Sequence, residues 1–347
     1  MPFQLSDLRV PLIQAPMAGG PTTPELAAAV IRAGGLGFLA AGYLAPEALR
    51  TQIARLRKLA GDGAAFGVNV FVPQPVAQPE LVAAYRARLL AEAAAHGIDD
   101  LPEPDLADTD HWPEKLDLLA ADPVPVVSFT FGLPEPQVIA GLRSQGTYTI
   151  GTVTSAEEAV QAVGAGVDAL CVQGPEAGGH RGVFDPSIAP PTTPLTALLH
   201  EVRAATSPSP HLPIIAAGGI ASSAAVALLL NNGLADAVQL GTGFLRADEA
   251  ATNPLHRKAL ADPSYPETVV TRAFSGRWAR ALRTRFIDAH PDAPAAYPAI
   301  NQLTKPLRAA AAARGDASGL SLYAGTGHRL AQGAPAAEII KAMTADL

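Results

Sequence analysis

The chain has 347 residues, 48% hydrophobic and only 16% charged, so a large buried core is expected and wholesale disorder is excluded. The formal net charge is −7 and the longest cationic stretch is the mixed Arg55-Leu-Arg-Lys58, which argues against a nucleic-acid or anionic-membrane partner. The single cysteine, Cys171, rules out an intrachain disulfide and reads as a small buried strand side chain rather than a nucleophile.

Residues 1–11 lack the basic and apolar regions of a signal peptide, and no apolar run approaches the ~18–20 residues of a membrane span. A cytoplasmic location is therefore expected. In chain order, short apolar runs fall at 12–17, 36–41, 65–72, 124–131, 148–153, 169–173, 213–217 and 237–244. They carry few charges and many β-branched or aromatic residues, as strands buried on both faces should. Alanine-rich helical segments follow them. Pro-Glu pairs at 24–25, 46–47, 79–80 and 134–135 mark helix starts, where proline needs no amide partner and glutamate meets the positive end of the helix dipole. Ser155-Ala-Glu-Glu158 reads as a capping box, and Gly34, Gly146 and Gly233 sit where helices should stop.

Eight strand-then-helix units predict an α/β fold, a closed (β/α)8 TIM barrel, with a doubly wound open sheet as the alternative. Two stretches exceed a minimal barrel. Residues 99–123 form an acidic, proline-rich extension, and 246–324 are mainly helical in pattern. The expected division is a barrel over 1–245, a helical substrate or lid domain over 246–324, and a terminal segment 325–347 packing back on the barrel.

In such a barrel the C-terminal strand ends and the loops after them form the active face. The seventh and eighth turns are glycine-rich, so Gly218, Gly219, Gly241 and Thr242 are candidates to hold a terminal phosphate; the alternative is that they only permit tight turns. Four carboxamides, Gln14, Asn69, Gln173 and Gln239, fall at strand ends. A carboxamide both donates and accepts, matching the edge of a flat heterocycle, so FMN is the expected ligand and a phosphosugar the alternative. After the sixth strand comes Gln173-Gly-Pro-Glu-Ala-Gly-Gly-His-Arg-Gly182. Gly178 and Gly179 would let the backbone approach a flat cofactor and deliver His180, whose ordinary pKa near ~6.5 suits proton abstraction. Glu176 would orient this loop and Arg181 would be solvated or paired. His96, His111, His200, His211, His256, His290 and His328 read as structural. Gly164-Ala-Gly166 is a helix stop rather than a dinucleotide fingerprint, and no metal-site, P-loop or G-x-S-x-G motif is present.

These residues carry a resemblance. Leu12-Ile-Gln-Ala-Pro-Met-Ala-Gly19, Gly67-Val-Asn-Val-Phe71, the block from Gly166 to Gly182, Pro213-Ile-Ile-Ala-Ala-Gly-Gly219, Gln239-Leu-Gly-Thr242, Phe274-Ser-Gly-Arg277 and Leu322-Tyr-Ala-Gly-Thr-Gly327 resemble nitronate monooxygenases, and the last block resembles class I. The resemblance implies an FMN-dependent enzyme that oxidises alkyl nitronates such as propionate 3-nitronate with O2, releasing nitrite and an aldehyde or ketone. It implies His180 as the catalytic histidine. Met17, Asn69, Gln173, Gly178, Gly218, Gly219, Gln239, Leu240, Gly241 and Thr242 would be FMN contacts. Tyr297 and Lys305 resemble class I substrate-pocket residues, with a solvated surface lysine as the alternative for Lys305. Thr130 stands where the family often has a histidine, which removes a second imidazole and bears on substrate range. Charged His180 would hold the nitro group, or neutral His180 would act as base on a nitroalkane. The partners expected are a small anionic nitronate and O2, in a monomer or homodimer. The rivals are an FMN-dependent enoyl-carrier-protein or quinone reductase using NAD(P)H, and a colourless phosphosugar isomerase or lyase.

Overall fold

The computed structural model describes residues 2–61, 63–207 and 212–347, so His211 lies outside the described residues. Eight parallel strands form one sheet: β1 (Leu12–Gln14), β2 (Phe38–Ala40), β3 (Gly67–Phe71), β4 (Val126–Thr130), β5 (Tyr148–Val153), β6 (Ala169–Gln173), β8 (Ile214–Ala217) and β9 (Ala237–Leu240). Each lies within one of the apolar runs. The sheet closes as a barrel because β1 pairs β9 in parallel, Leu12 opposite Val238, while a bridge joins Ile13 to Leu36 just before β2. Gln14 completes that seam: its side-chain oxygen accepts from the Phe38 amide at 3.0 Å and its Nε2 donates to Thr22 Oγ1 at 3.2 Å. Gln14 is fully buried and does not line the cavity described below, so it leaves the group of ligand-facing carboxamides. Its polar atoms are consumed where the β1–β2 ladder is too short to pair itself.

Helices α1 (Pro24–Arg32), α2 (Pro46–Ala60) and α3 (Pro79–Ala95) begin at prolines, as expected. A second helix after β3, α4 (Trp112–Ala121), occupies the end of the acidic extension and packs between α2 and α5 (Pro136–Ser144), which begins two residues after the Pro-Glu signal. Ser155 caps α6 (Ala156–Ala165) by accepting from the Glu158 amide at 3.2 Å. The reciprocal half of the box is missing. The Glu158 carboxylate instead takes the Thr154 amide at 2.6 Å and the Phe184 amide at 2.7 Å, binding the loop after β6 to the α6 terminus. The remaining barrel helices are α7 (Leu195–Ala205) and α8 (Ser223–Asn231), and α12 (Ala336–Met343) buries Ala336, Ile339 and Ile340 in the barrel's main apolar cluster.

A second cluster stands over the strand ends. It combines Val82, Tyr85 and Leu89 of α3 with Phe274, Phe286 and several residues of α11 (Ala299–Ala313). Tyr85 donates to the Ala273 carbonyl at 2.8 Å, so this core joins segments 188 residues apart. The region also contains α9 (Pro254–Ala259), α10 (Arg285–Ala289) and two strands, β10 (Thr268–Thr271) and β11 (Ala279–Leu282). These strands pair antiparallel, and β11 pairs in turn with β7 (Gly179–His180), Ala279 opposite His180. The histidine loop is therefore a sheet edge rather than a free turn.

Candidate active site

A cavity of about 1200 Å³ opens over the C-terminal strand ends. That is room for a cofactor and a small substrate together. It has two chemically different ends.

One end is built from backbone. Gly218 and Gly219 take φ of +112° and +68°, conformations that cost a side-chain-bearing residue, and they lead to Ser222 and Ser223 at the start of α8. Ser222 Oγ accepts from the Ala225 amide at 3.2 Å, capping the helix. Gly241, Thr242, Gly325 and Gly327 face the same space, and Thr242 Oγ1 accepts from the Gly325 amide at 2.9 Å. Helix amides beside glycine main chain suit a phosphate. Met17 and Leu240 line the adjoining wall, with the Met17 amide donating to Thr22 Oγ1 at 2.9 Å.

The three remaining carboxamides divide in role. Asn69 Nδ2 donates to Ser128 Oγ and Thr130 Oγ1, both at 2.9 Å, which leaves Oδ1 without a protein partner among the described residues. Among the described residues, the Gln239 side chain makes only a 3.4 Å contact from Nε2 to Cys171 Sγ. Gln173 is largely occupied: Nε2 donates to the His180 carbonyl at 3.0 Å and Oε1 accepts from the Gly182 amide at 2.8 Å. All three line the cavity, so Asn69 and Gln239 are free to meet a flat ring's edge while Gln173 shapes the loop. Cys171 is buried, which pushes its thiol up to about 12 and suits a packing residue.

Gly178 lines the cavity, and the space that its missing Cβ leaves is taken by protein backbone. A Cβ there would lie 2.5 Å from the Ala324 carbonyl carbon and 2.8 Å from its Cα, so protein backbone fills that space. Gly179 has open surroundings but a φ of +76°. Together they fit the loop against residues 322–324, whose Leu322 carbonyl accepts from Leu282 of β11 at 2.9 Å.

His180 marks the other end, which is built from side chains. Its Nε2 lies 2.8 Å from Ser275 Oγ. Phe131, Tyr297 and Tyr323 surround the imidazole at centroid distances of 5.7, 5.8 and 5.2 Å, and Tyr43 extends this cage against Phe71 and Tyr297. Burial, with the Arg277 and Arg308 guanidiniums, pushes His180 down to about 3. A neutral imidazole at physiological pH favours the role of a base or acceptor over that of a charged clamp. Arg277 is fully buried yet pairs with no carboxylate among the described residues. It donates to Gln74 Oε1 and the Val183 carbonyl, and its guanidinium stacks 3.9 Å from the Phe131 ring centre. Arg181, expected to be solvated or paired, is instead buried and donates to the Gly174 carbonyl.

Thr130 and Lys305 line the cavity. Tyr297 stands behind its surface, buried and edge-on to His180. Two histidines read as structural, His111 and His256, also border the cavity, and His111 holds a left-handed backbone at φ +55°. Sequence reasoning missed Tyr43, Phe71, Ser275, Arg277, Arg308 and Tyr323 as site residues. Phe71, Ser275, Arg277 and Tyr323 lie inside the Gly67–Phe71, Phe274–Arg277 and Leu322–Gly327 blocks, whereas no such block contains Tyr43 or Arg308.

Comparison with known proteins supplies the family. The family model for nitronate monooxygenase matches residues 4–346. The chain belongs to the nitronate monooxygenase family. A probable nitronate monooxygenase of Staphylococcus saprophyticus is 38% identical over 94% of this chain and 92% of the relative. One of Staphylococcus aureus is 37% identical over 97% and 94%. Among solved structures, a nitroalkane oxidase from Streptomyces ansochromogenes superposes with a TM-score of 0.91 at 47% identity, covering 99% of this chain and 97% of its own. FabK from Thermotoga maritima is more distant, with a TM-score of 0.71 and 27% identity over 98% and 93%. This member of the nitronate monooxygenase family is thus a flavin-dependent oxidoreductase. Among the described residues, no helix is long and apolar enough to cross a membrane.

Proposed function

We propose that the protein binds FMN and uses O2 to oxidise alkyl nitronates, of which propionate 3-nitronate is the type, to nitrite and a carbonyl product. The observation that carries this reading is the pairing of the two cavity ends: backbone amides and free carboxamides at one, and at the other an imidazole caged by aromatic rings beside cations that have no acid partner among the described residues. Gly218, Gly219, Gly241, Thr242 and the α8 terminus would hold the phosphate, with Asn69 and Gln239 meeting the ring edge. When bound, the flavin supplies the electron acceptor.

The chain's own residues bind, orient and manage one proton. A nitronate is already an anion, and its substrate end is lined by Lys305 and Arg308 with no opposing free carboxylate among the described residues. Neutral His180 is not needed to remove a proton from it. A nitroalkane does need a base, and the Ser275 contact prepares one. If Ser275 donates its hydroxyl hydrogen to the Arg277 carbonyl, 3.2 Å away, then His180 Nε2 is the donor to Ser275 and Nδ1 is the base. The aromatic cage of Tyr43, Phe131, Tyr297 and Tyr323 limits water around that nitrogen.

The test is turnover of an alkyl nitronate in air by the purified holoenzyme with no pyridine nucleotide present. Nitrite release matched by O2 consumption is expected. Absence of nitrite, together with rapid bleaching of the flavin by NAD(P)H, would assign the protein to the reductase alternative.

A further inference from the structure

Helix α11 turns four polar residues toward the cavity: Asn301, Gln302, Lys305 and Arg308. Their spacing places 301, 305 and 308 on one face. Gln302 is engaged in structure, accepting from the Asp105 amide and donating to Asp108 Oδ2, both at 2.8 Å. Asn301 is engaged with its neighbour. Its side-chain oxygen and its carbonyl accept from Arg308 Nη2 at 2.8 and 3.0 Å, which fixes the guanidinium against the helix.

The rest of that guanidinium is unmatched. Arg308 Nε is buried with no hydrogen-bond partner, and Nη1 has none among the described residues. Nor does Arg308 form an ion pair among them. The nearby acids are committed elsewhere: Asp110 to Lys115 at 2.8 Å and to the Tyr43 amide at 2.9 Å, Asp108 to Gln302 and the Asp110 amide. A half-buried arginine normally faces an anion, because a desolvated charge without one is costly. Its field reaches the reacting end, where it acts on His180 together with Arg277. Lys305, by contrast, is exposed at the rim with a flexible stem.

We propose that Arg308, clamped by Asn301, receives the oxygens of the substrate's anionic group and is the residue that distinguishes nitronates from neutral nitroalkanes. The inference rests on the nitronate reading above and adds a residue to it. A planar guanidinium fits a planar pair of oxygens, giving orientation as well as charge, whereas Lys305 offers attraction without direction. Binding the anion also cancels part of the positive field on His180, so a bound nitronate and a more basic imidazole accompany one another.

The experiment compares wild-type holoenzyme with Arg308→Gln and Arg308→Lys. Nitrate, an unreactive planar anion, is titrated by calorimetry, and kinetics are measured with ethyl nitronate and with nitroethane. Arg308→Gln should weaken nitrate binding and raise KM for the nitronate by roughly 10- to 100-fold, with kcat changed much less and KM for nitroethane moving by far less than KM for the nitronate. Arg308→Lys should recover part of the loss, since charge returns without the fork. Unaltered nitrate affinity in Arg308→Gln, or equal losses on nitronate and nitroethane with no recovery in Arg308→Lys, would overturn the proposal. Failure of the nitronate reading looks different: wild-type enzyme would release no nitrite, whatever nitrate binding reports about Arg308.

Discussion

The two ends of the cavity are built by different means. At the end proposed for the phosphate the cavity-facing groups are main chain, set by Gly218, Gly219 and Gly241 and by the start of α8. At the histidine end they are side chains, brought from the turn after β2, β7, the 275–277 turn, α11 and residue 323. The first end depends on what the sequence omits, namely Cβ atoms. The second depends on what it supplies, and each group there can be exchanged separately. Substitutions at the first end should therefore act on folding and cofactor retention, and those at the second on turnover.

Gly178→Ala should break this division most severely, because the added carbon meets Ala324 backbone rather than a movable side chain. Expected is a destabilisation of about 2–4 kcal/mol and loss of bound flavin, read by thermal unfolding and flavin-to-protein ratio. A variant as stable as wild type would show that residues 322–324 yield easily. His180→Ala, in the same loop, should follow the division. It should keep the flavin ratio of wild type and lose about 10²- to 10⁴-fold in kcat/KM on neutral nitroalkanes, and far less on nitronates.

A pH profile sharpens the same point. Since the folded-state pKa of His180 is depressed to about 3, the group stays neutral across the neutral range, and kcat/KM for a nitronate should show no His180 step between about pH 5 and 8. The unfolded chain, with an ordinary histidine pKa near ~6.5, binds more protons below that pH, so His180 lowers stability as pH falls from there toward 3. A kinetic step near pH 6–7 that disappears in His180→Gln would contradict the neutral assignment. The smallest effect is expected from Lys305→Ala: a few-fold rise in KM for an anionic nitronate that fades with added salt.

The backbone-built end was the more legible of the two. Strands buried on both faces appear as unbroken apolar runs, and the glycines after β8 and β9 mark the turns themselves. Chemistry in the residue type misled at Gln14, whose strand-end position looked ligand-facing but whose atoms serve the β1–β2 seam. The loop after β6 was located correctly, yet its stiffness was not visible. A two-residue strand of Gly179 and His180 has no pattern of its own and exists because β11 lies beside it. The same limit hides Arg277 and Arg308. The burial of Arg277, and the lack of an acid partner for either arginine among the described residues, are set by segments that meet only in the folded chain, as is the use of α3 in the core above the barrel.

The central claim is that one cavity seats a flavin mononucleotide between these two ends. A crystal structure of the as-purified protein would decide it. Expected is a single FMN, its phosphate against residues 218–223 and 241–242, its ring edge at Asn69 and Gln239, and His180 facing the ring across the substrate space. A ring placed away from His180, or a phosphate held outside the β8 and β9 turns, would contradict it.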